Sequence, residues 1–474
     1  MAPTATYGPG PSDRWLGNWG SLILWGGFGF LFLILLFLTW AAPEALPYVP
    51  VLLVGAAAVV YLFHHPLLNL ACVIGGFVAV VGFKEGLQIA EILYGLYYLG
   101  FLGHWFFTRS LLKQEVLCRR PEERVLFLFL VLVAATVPIS FLYNGWPSMI
   151  LGEGLSLTML LFYWPIREAI EKNPKGLRVV VGALTFVGLF VLARNILEYR
   201  SDLSNAEQLW QIATSRAITN ESLLMVPAIF AVAMFLRARA WWGRAVFLAL
   251  FLSLFAGLIL TQSRAYWVAI FLGTGVIFLF VPFKDKMRIL TVGAVSAGGV
   301  FLIAYLFLGD FLLLVLTGLL DRFLTLETAV TKDISLINRF LEAQGVWEHI
   351  KVNPILGHGM GVPYRFFNIT YLYSEEKTFV HNGYVALLFK FGIWGLGMML
   401  YLMGRFFLMA MGNWRKAVNT PLARIISLAV AGSMAALALT ATTANPFYQN
   451  DLMFVYAVLW GIIGGIRSST DGLR

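Results

Sequence analysis

Charge and cysteine are both scarce in this chain. Of its 474 residues only 12% are charged and only two are cysteines. Soluble domains carry about 25% charged residues, so the charge is too thin for a water-soluble globular enzyme or a disordered chain. Two cysteines exclude a small scaffold held by disulfides. Cys72 falls in an apolar block and Cys118 in a basic loop, and neither is assigned chemistry. Asp-x-Asp, His-Glu-x-x-His, a Cys/His cluster and a Walker loop are all missing. No divalent metal or nucleotide site is therefore supported, and no cofactor is expected. Lys and Arg are also missing from three short segments, 41–47, 144–149 and 444–451.

What is abundant is apolar. Hydrophobic residues make up 59% of the chain, with a mean hydropathy of +0.79. They fall in blocks near the roughly 20 residues that a helix needs to cross a bilayer. The blocks predict spans near 21–40, 48–63, 66–83, 87–107, 125–143, 150–166, 179–196, 220–238, 245–261, 265–283 and 289–309. A second group lies near 393–411, 425–443 and 452–466, which makes fourteen, or twelve if the short second and third blocks form one re-entrant hairpin. The fold class read from this pattern is an all-α polytopic membrane protein. The first block is too long for the h-region of a signal peptide, so no cleavable leader is expected. Pro43, Pro47, Pro66 and Pro147 sit near span ends, where a missing N–H costs little.

Basic residues alternate along the chain. Arg109 to Arg124, Arg167 to Arg178, Arg237 to Arg244, Lys284 to Arg288 and Arg415 to Arg424 fall on one side of the spans. The Lys- and Arg-free loops fall on the other. The positive-inside rule then puts both termini in the cytoplasm, and it explains the net charge of +9 without nucleic acid. Two outside segments are long, 194–221 and 310–392. Loops of that length are usually functional. The expected division is an N-terminal bundle over 1–309, an outside loop over 310–392 that carries the site, and C-terminal spans over 393–474. Within the loop, 311–326 is apolar enough to lie on the membrane surface as a helix.

Three features on the outside carry candidate chemistry. The first is a set of cations: Arg216 after Trp210, Arg264 ending Thr261-Gln262-Ser263-Arg264, and Arg339 opening a helix with Ala343 and Trp347 on its face. An arginine at the hydrocarbon edge either holds an anion or snorkels to headgroups. The second is Asn353-Pro354-Ile355-Leu356-Gly357-His358-Gly359-Met360-Gly361. Its alternate glycines allow positive φ, and the loop either presents N–H groups to a phosphate or sugar or is a tight turn between two helices. The third is His381-Asn382 followed by nine residues and Gly392-Ile393-Trp394-Gly395. This reads as a short helix over 381–391 entering the membrane, capped by Asn382 or Thr378, with His381, Tyr384, Leu388 and Gly392 on one face. An unperturbed imidazole titrates near pH 6.5, so His381 is either a general base or an interfacial hydrogen-bonding residue. Glu91, inside the fourth span, is either a functional carboxylate or shares a hydrogen bond within the bundle.

Taken in order, the Thr-x-Ser-Arg span end, the Arg339…Trp347…Asn-Pro-Ile-Leu-Gly-x-Gly-x-Gly loop and His-Asn-x9-Gly-x-x-Gly resemble the bacterial O-antigen ligase and O-antigen polymerase superfamily. The resemblance covers roughly 200–400 in motif and the whole chain in topology. It implies a GT-C-like helical fold in the bacterial inner membrane, with the active site facing the periplasm. It also implies an undecaprenyl diphosphate-linked glycan donor. The acceptor is lipid A–core in ligases or a second lipid-linked glycan in polymerases. The family arginines that hold the diphosphate correspond to Arg216, Arg264 and Arg339, and the family histidine to His381. Asn382, Ser263, Gly357, Gly359, Gly361 and Tyr384 are the supporting residues. The expected activity is metal-independent glycosyl transfer by an inverting displacement. A transporter or flippase of lipid-linked glycan is the rival reading from another class, but transporters place their binding residues near the bilayer midplane.

Overall fold

The computed structural model describes residues 49–79, 89–204, 220–308, 317, 334–416 and 420–471. The chain divides into two compact units, Met1–Asn69 and Leu70–Arg474. In the first, α1 spans Val49–His64, and His65 alone separates it from α2 (Pro66–Gly76), which runs on into the second unit.

The second unit is built almost wholly of helices. They are α3 (Ile89–Phe106), α4 (Pro121–Ala135), α5 (Val137–Leu142), α6 (Pro147–Thr158), α7 (Tyr163–Lys172) and α8 (Gly176–Ser204). After these come α9 (Glu221–Arg237), α10 (Trp241–Leu260), α11 (Arg264–Phe280) and α12 (Phe283–Leu308). The last four described are α13 (Ile334–Val352), α14 (Gly383–Arg415), α15 (Pro421–Thr440) and α16 (Asn450–Asp471). Among the described residues six stretches are long and apolar enough to cross a membrane: Pro121–Leu142, Pro147–Lys172, Gly176–Ser201, Trp241–Leu260, Gly383–Arg415 and Pro421–Thr440. The protein is an all-α polytopic membrane protein. The expected span 21–40 and the proposed surface helix 311–326 lie outside the described residues, Thr317 apart. Prolines stand at the first turn of α4, α6 and α15, where no helical N–H is lost.

The outer faces of α3, α4 and α10 leave large apolar side chains exposed, as at Leu96, Leu128 and Val246. α9, α15 and the first four turns of α16 are buried nearly all round and form the centre. α11 crosses α15 at Gly273 and Gly432, where a side chain on either would meet the other's backbone carbonyl. Small residues let helices approach this closely where apolar burial cannot drive association.

Arginines bind buried carboxylates at one end of the unit, Arg109 and Arg167 from the basic stretches read in the sequence and Arg405 and Arg467 from outside them. Glu122 and Glu123 are fully buried in the first turn of α4. Glu123 takes Arg167 of α7, while Glu122 takes Arg405 of α14 (3.4 Å) and Arg467 of α16 (3.2 Å). Arg109 binds Glu168 through its Nε at 3.0 Å. Four helices are thus tied together at this basic end. Glu91 sits half-buried in the first turn of α3, where a carboxylate suits the helix dipole.

The opposite end departs from an all-helical loop. Tyr364–Asn368 (β1) and Tyr373–Lys377 (β2) form an antiparallel hairpin, with Phe366 facing Glu375. Asn338 of α13 pins it by accepting from the Ile369 N–H (2.8 Å) and donating to Asn368 Oδ1 (3.1 Å). Val346, Ile350, Tyr364, Phe366, Val380 and Phe389 form a small second core beneath the hairpin. A strand needs only alternation, and β1 buries Tyr364, Phe366 and Asn368 on one face.

Candidate active site

The site is assembled at this hairpin-bearing end. His381 lies just before α14 rather than on it. Asn382 is the N-cap, its Oδ1 accepting from the N–H groups of Tyr384 (3.0 Å) and Val385 (3.1 Å), and the helix starts at Gly383. The expected helix over 381–391 is therefore shorter by two residues, and His381 is not on the helical face of Tyr384 and Leu388. Thr378 is buried upstream and does not cap it. The Gly383 N–H donates to the Ala441 carbonyl at 2.9 Å, which fixes the cap against the end of α15. The Tyr384 hydroxyl donates to the Ala438 carbonyl at 2.8 Å.

His381 faces a carboxylate that the sequence motifs did not single out. Glu342 of α13 is 2% exposed. Its Oε1 accepts from the His381 backbone N–H at 2.5 Å, and its Oε2 lies 2.7 Å from His381 Nδ1. An ionised carboxylate only accepts, so Nδ1 carries a proton, and in the neutral ring it is Nε2 that keeps the lone pair. The ring is about a third exposed (35%), which leaves it open on one side. The Phe379 ring stands edge-on to it at 5.0 Å, and Tyr364 donates to the Phe379 carbonyl at 2.6 Å. Burial, together with the neighbouring Glu342 carboxylate, pushes the Tyr364 phenol far up, so it stays a donor. A neutral imidazole with a fixed tautomer, backed by a buried carboxylate, is the arrangement that accepts a proton and then stabilises the resulting imidazolium.

Arg339 lies one turn before Glu342 on α13, three residues away and so on a neighbouring face. It does not open that helix, which begins five residues earlier at Ile334. Arg264 is the first residue of α11, half-buried, after a turn in which Gln262 takes φ 54° and Ser263 is the N-cap without a side-chain capping bond. Arg216 lies outside the described residues. A further cation, Arg194, lies on α8. Its Nη2 donates to Asn220 Oδ1 at 3.0 Å just before α9, and Ser222 there binds the buried Asp451 at 3.0 Å.

The glycine-rich loop holds the site together through its backbone. Gly357, Gly359 and Gly361 take φ of 75°, 88° and 67°. Their N–H groups are spent inside the protein, on Asn353 O (3.2 Å), Lys390 O (2.8 Å) and Glu153 Oε2 (3.2 Å). The loop is thus a turn, but between α13 and the hairpin rather than between two helices. His358 is buried against Phe389 and Tyr143, and burial, with His349 nearby, lowers its pKa. α14 breaks at Gly392, with φ 62° and ψ −166°. Any side chain there would overlap the Ile355 carbonyl, so the close approach that Gly392 permits is to this loop and not to a neighbouring helix. The segment 383–391 is consequently a half-helix, set off from the long span that follows.

That half-helix carries a second buried pair. Lys390 Nζ binds Glu153 Oε1 of α6, with both side chains at most 5% exposed. The ammonium also lies 5.5 Å over the Tyr448 ring, which packs on Phe379. Lys390 was hidden in the unspecified nine residues of the motif, and Glu153 inside an expected span. Only their facing each other marks them.

Residues 248–402 match the family model described as O-antigen ligase. The match covers about a third of the chain, and over this segment the chain is similar to the O-antigen ligase family. No curated protein matches the chain. The O-antigen ligase segment contains Arg264, Arg339, Glu342, His381 and Lys390, whereas Glu153, Arg194 and Tyr448 come from outside it. The match supports a role of the ligase and polymerase type for this multi-pass membrane protein.

Proposed function

We propose that the chain is a periplasm-facing glycosyltransferase of the bacterial inner membrane, with both termini in the cytoplasm and a GT-C-like bundle. It moves a glycan from undecaprenyl diphosphate to a sugar hydroxyl of lipid A–core. The observation that carries this reading is the buried Glu342–His381 pair inside the matched segment. His381 Nε2 takes the proton of the acceptor hydroxyl as that oxygen bonds to the anomeric carbon. The bond from that carbon to the diphosphate oxygen breaks from the opposite face, and the diphosphate leaves with the electron pair. Arg264 and Arg339 hold it, with Arg216 as a third cation, because guanidinium forks match phosphate oxygens and stay charged. A diphosphate is a good leaving group, so charge stabilisation replaces both a general acid and a metal. One displacement inverts the anomeric configuration.

The division of labour follows the chain. The bundle over 1–309 seats the polyprenyl tail and supplies Arg216 and Arg264, the loop over 310–392 supplies Arg339 and the base, and the helices over 393–474 follow it. Purified protein is incubated with lipid-linked glycan and either lipid A–core or a second donor molecule. A single capped product of inverted configuration is the expected result. A ladder of repeats would make the protein a polymerase. Movement of intact donor across vesicles without bond cleavage would make it a transporter.

A further inference from the structure

The basic end of the second unit, opposite His381, holds two adjoining cavities that the transfer reaction does not use. The first, of about 620 Å³, is walled by Arg237 at the end of α9 and Arg239 after it, Trp414 of α14, Arg424 of α15, and Asp285 of α12. Arg424 is held in place, with its guanidinium 5.1 Å over the Trp414 ring and its Nε donating to the Trp414 carbonyl at 3.1 Å. Asp285, the acid on this wall, is paired with Arg288 at 2.9 Å. The mouth therefore keeps an excess of positive charge. Arg244 braces the 238–240 turn by donating to the Ala238 carbonyl at 2.8 Å.

The second cavity, of about 410 Å³, shares Arg237 with the first. Beyond Arg178 and Arg237 it is almost wholly apolar, lined by Phe186 and Leu189 of α8, Phe230 of α9, and Phe247 and Leu250 of α10. Along α8 it runs from Leu177 to Leu189, about 18 Å of helix rise at 1.5 Å per residue. One leaflet of hydrocarbon is about 15 Å deep. A cationic mouth at a helix-bundle end, leading into an apolar groove one leaflet long, has the charge and shape of one lipid molecule. We infer that these cavities bind an anionic diacyl phospholipid, its phosphate among Arg237, Arg239 and Arg424 and one acyl chain along α8 between α9 and α10. Arginines at the edge of the hydrocarbon need an anionic partner or water, and basic pockets between spans take anionic headgroups on these terms.

The test uses the full-length protein, stripped of lipid in detergent and titrated by native mass spectrometry with phosphatidylglycerol, phosphatidylcholine or free glycerol phosphate. Wild type retains phosphatidylglycerol in preference to phosphatidylcholine, and glycerol phosphate alone is not retained. Each exposed arginine is worth about fivefold in affinity, so Arg237→Gln with Arg239→Gln weakens phosphatidylglycerol by on the order of twenty-five-fold. Leu250→Trp, at a half-buried position with room to accept it, fills the groove and weakens the same lipid without touching a charge. Thr185→Trp serves the same purpose from α8 if that variant fails to fold. Equal retention of the two lipids overturns the inference. So does retention of glycerol phosphate as tight as that of the lipid, or phosphatidylglycerol binding that neither the arginine pair nor the groove variant changes.

Discussion

Replacing Glu342 by glutamine is the sharpest test of the base. The carboxylate makes two contacts to His381, at 2.5 Å to the backbone N–H and 2.7 Å to Nδ1. The backbone donor demands an oxygen, so a glutamine places its carbonyl there and turns its amide NH₂ toward Nδ1. Nδ1 must then accept, the proton moves to Nε2, and the atom that should take the acceptor's proton is blocked. Loss of the charged hydrogen bond alone is worth about 1.5–3 kcal/mol, roughly ten- to hundredfold in rate. The tautomer switch adds to that, so kcat falls by more than about a hundredfold. KM for the donor barely moves, since the buried Glu342 is not among the residues assigned to hold the diphosphate. Glu342→Ala behaves differently. It leaves both His381 donors without their buried partner, costing about 1–3 kcal/mol each in stability, but it does not force the wrong tautomer. The glutamine variant is therefore better folded and slower than the alanine variant. Transfer rates in proteoliposomes at matched expression, with melting temperatures alongside, measure both. Glutamine within about threefold of wild type in kcat, or faster turnover by glutamine than by alanine, would refute the tautomer argument.

The remaining expectations concern other residues of the site. His381→Ala loses about a hundred- to ten-thousandfold in transfer while still binding donor lipid; single-turnover rates and retention of donor lipid read both. Arg264→Ala and Arg339→Ala each cost roughly ten- to hundredfold at equal expression, and lysine restores only part because it lacks the bidentate fork. Full activity in both alanine variants would remove the clamp. Lys390→Met strands the Glu153 carboxylate in the interior and costs about 3–5 kcal/mol, whereas the double change Lys390→Met with Glu153→Leu recovers part of it, less the lost acceptor of the Gly361 N–H; thermal unfolding of wild type and the two variants distinguishes an ion pair that the fold needs from one that it merely tolerates.

The membrane class was legible in the sequence because a span needs only length and low polarity, and both are local properties. The helices α4, α8, α10 and α15 lie where apolar blocks of the right length predicted them. Asn382 as a cap and the positive φ of Gly357, Gly359 and Gly361 were legible for the same reason, since each depends on the residue and its immediate neighbours. The order of Arg264, Arg339 and His381 pointed to the right segment, because the spacing of a motif survives in one dimension. Pairings were not legible. Glu342 stands 39 residues before His381 and Glu153 stands 237 before Lys390, so no window along the chain contains either pair. The hairpin of β1 and β2 escaped because its short strands alternate only weakly within a polar loop, and Asn338 on α13 fixes it from 31 residues away. Arg167 was legible as part of a basic stretch, but the pairing of Arg167, Arg405 and Arg467 with Glu122 and Glu123 depends on four helices meeting at one end. Sequence decided which segments enter the membrane and which residue types gather on each side. Tertiary structure decided which carboxylate faces which base, because an interaction that falls off within a few ångströms is set by distance in space and not by distance along the chain.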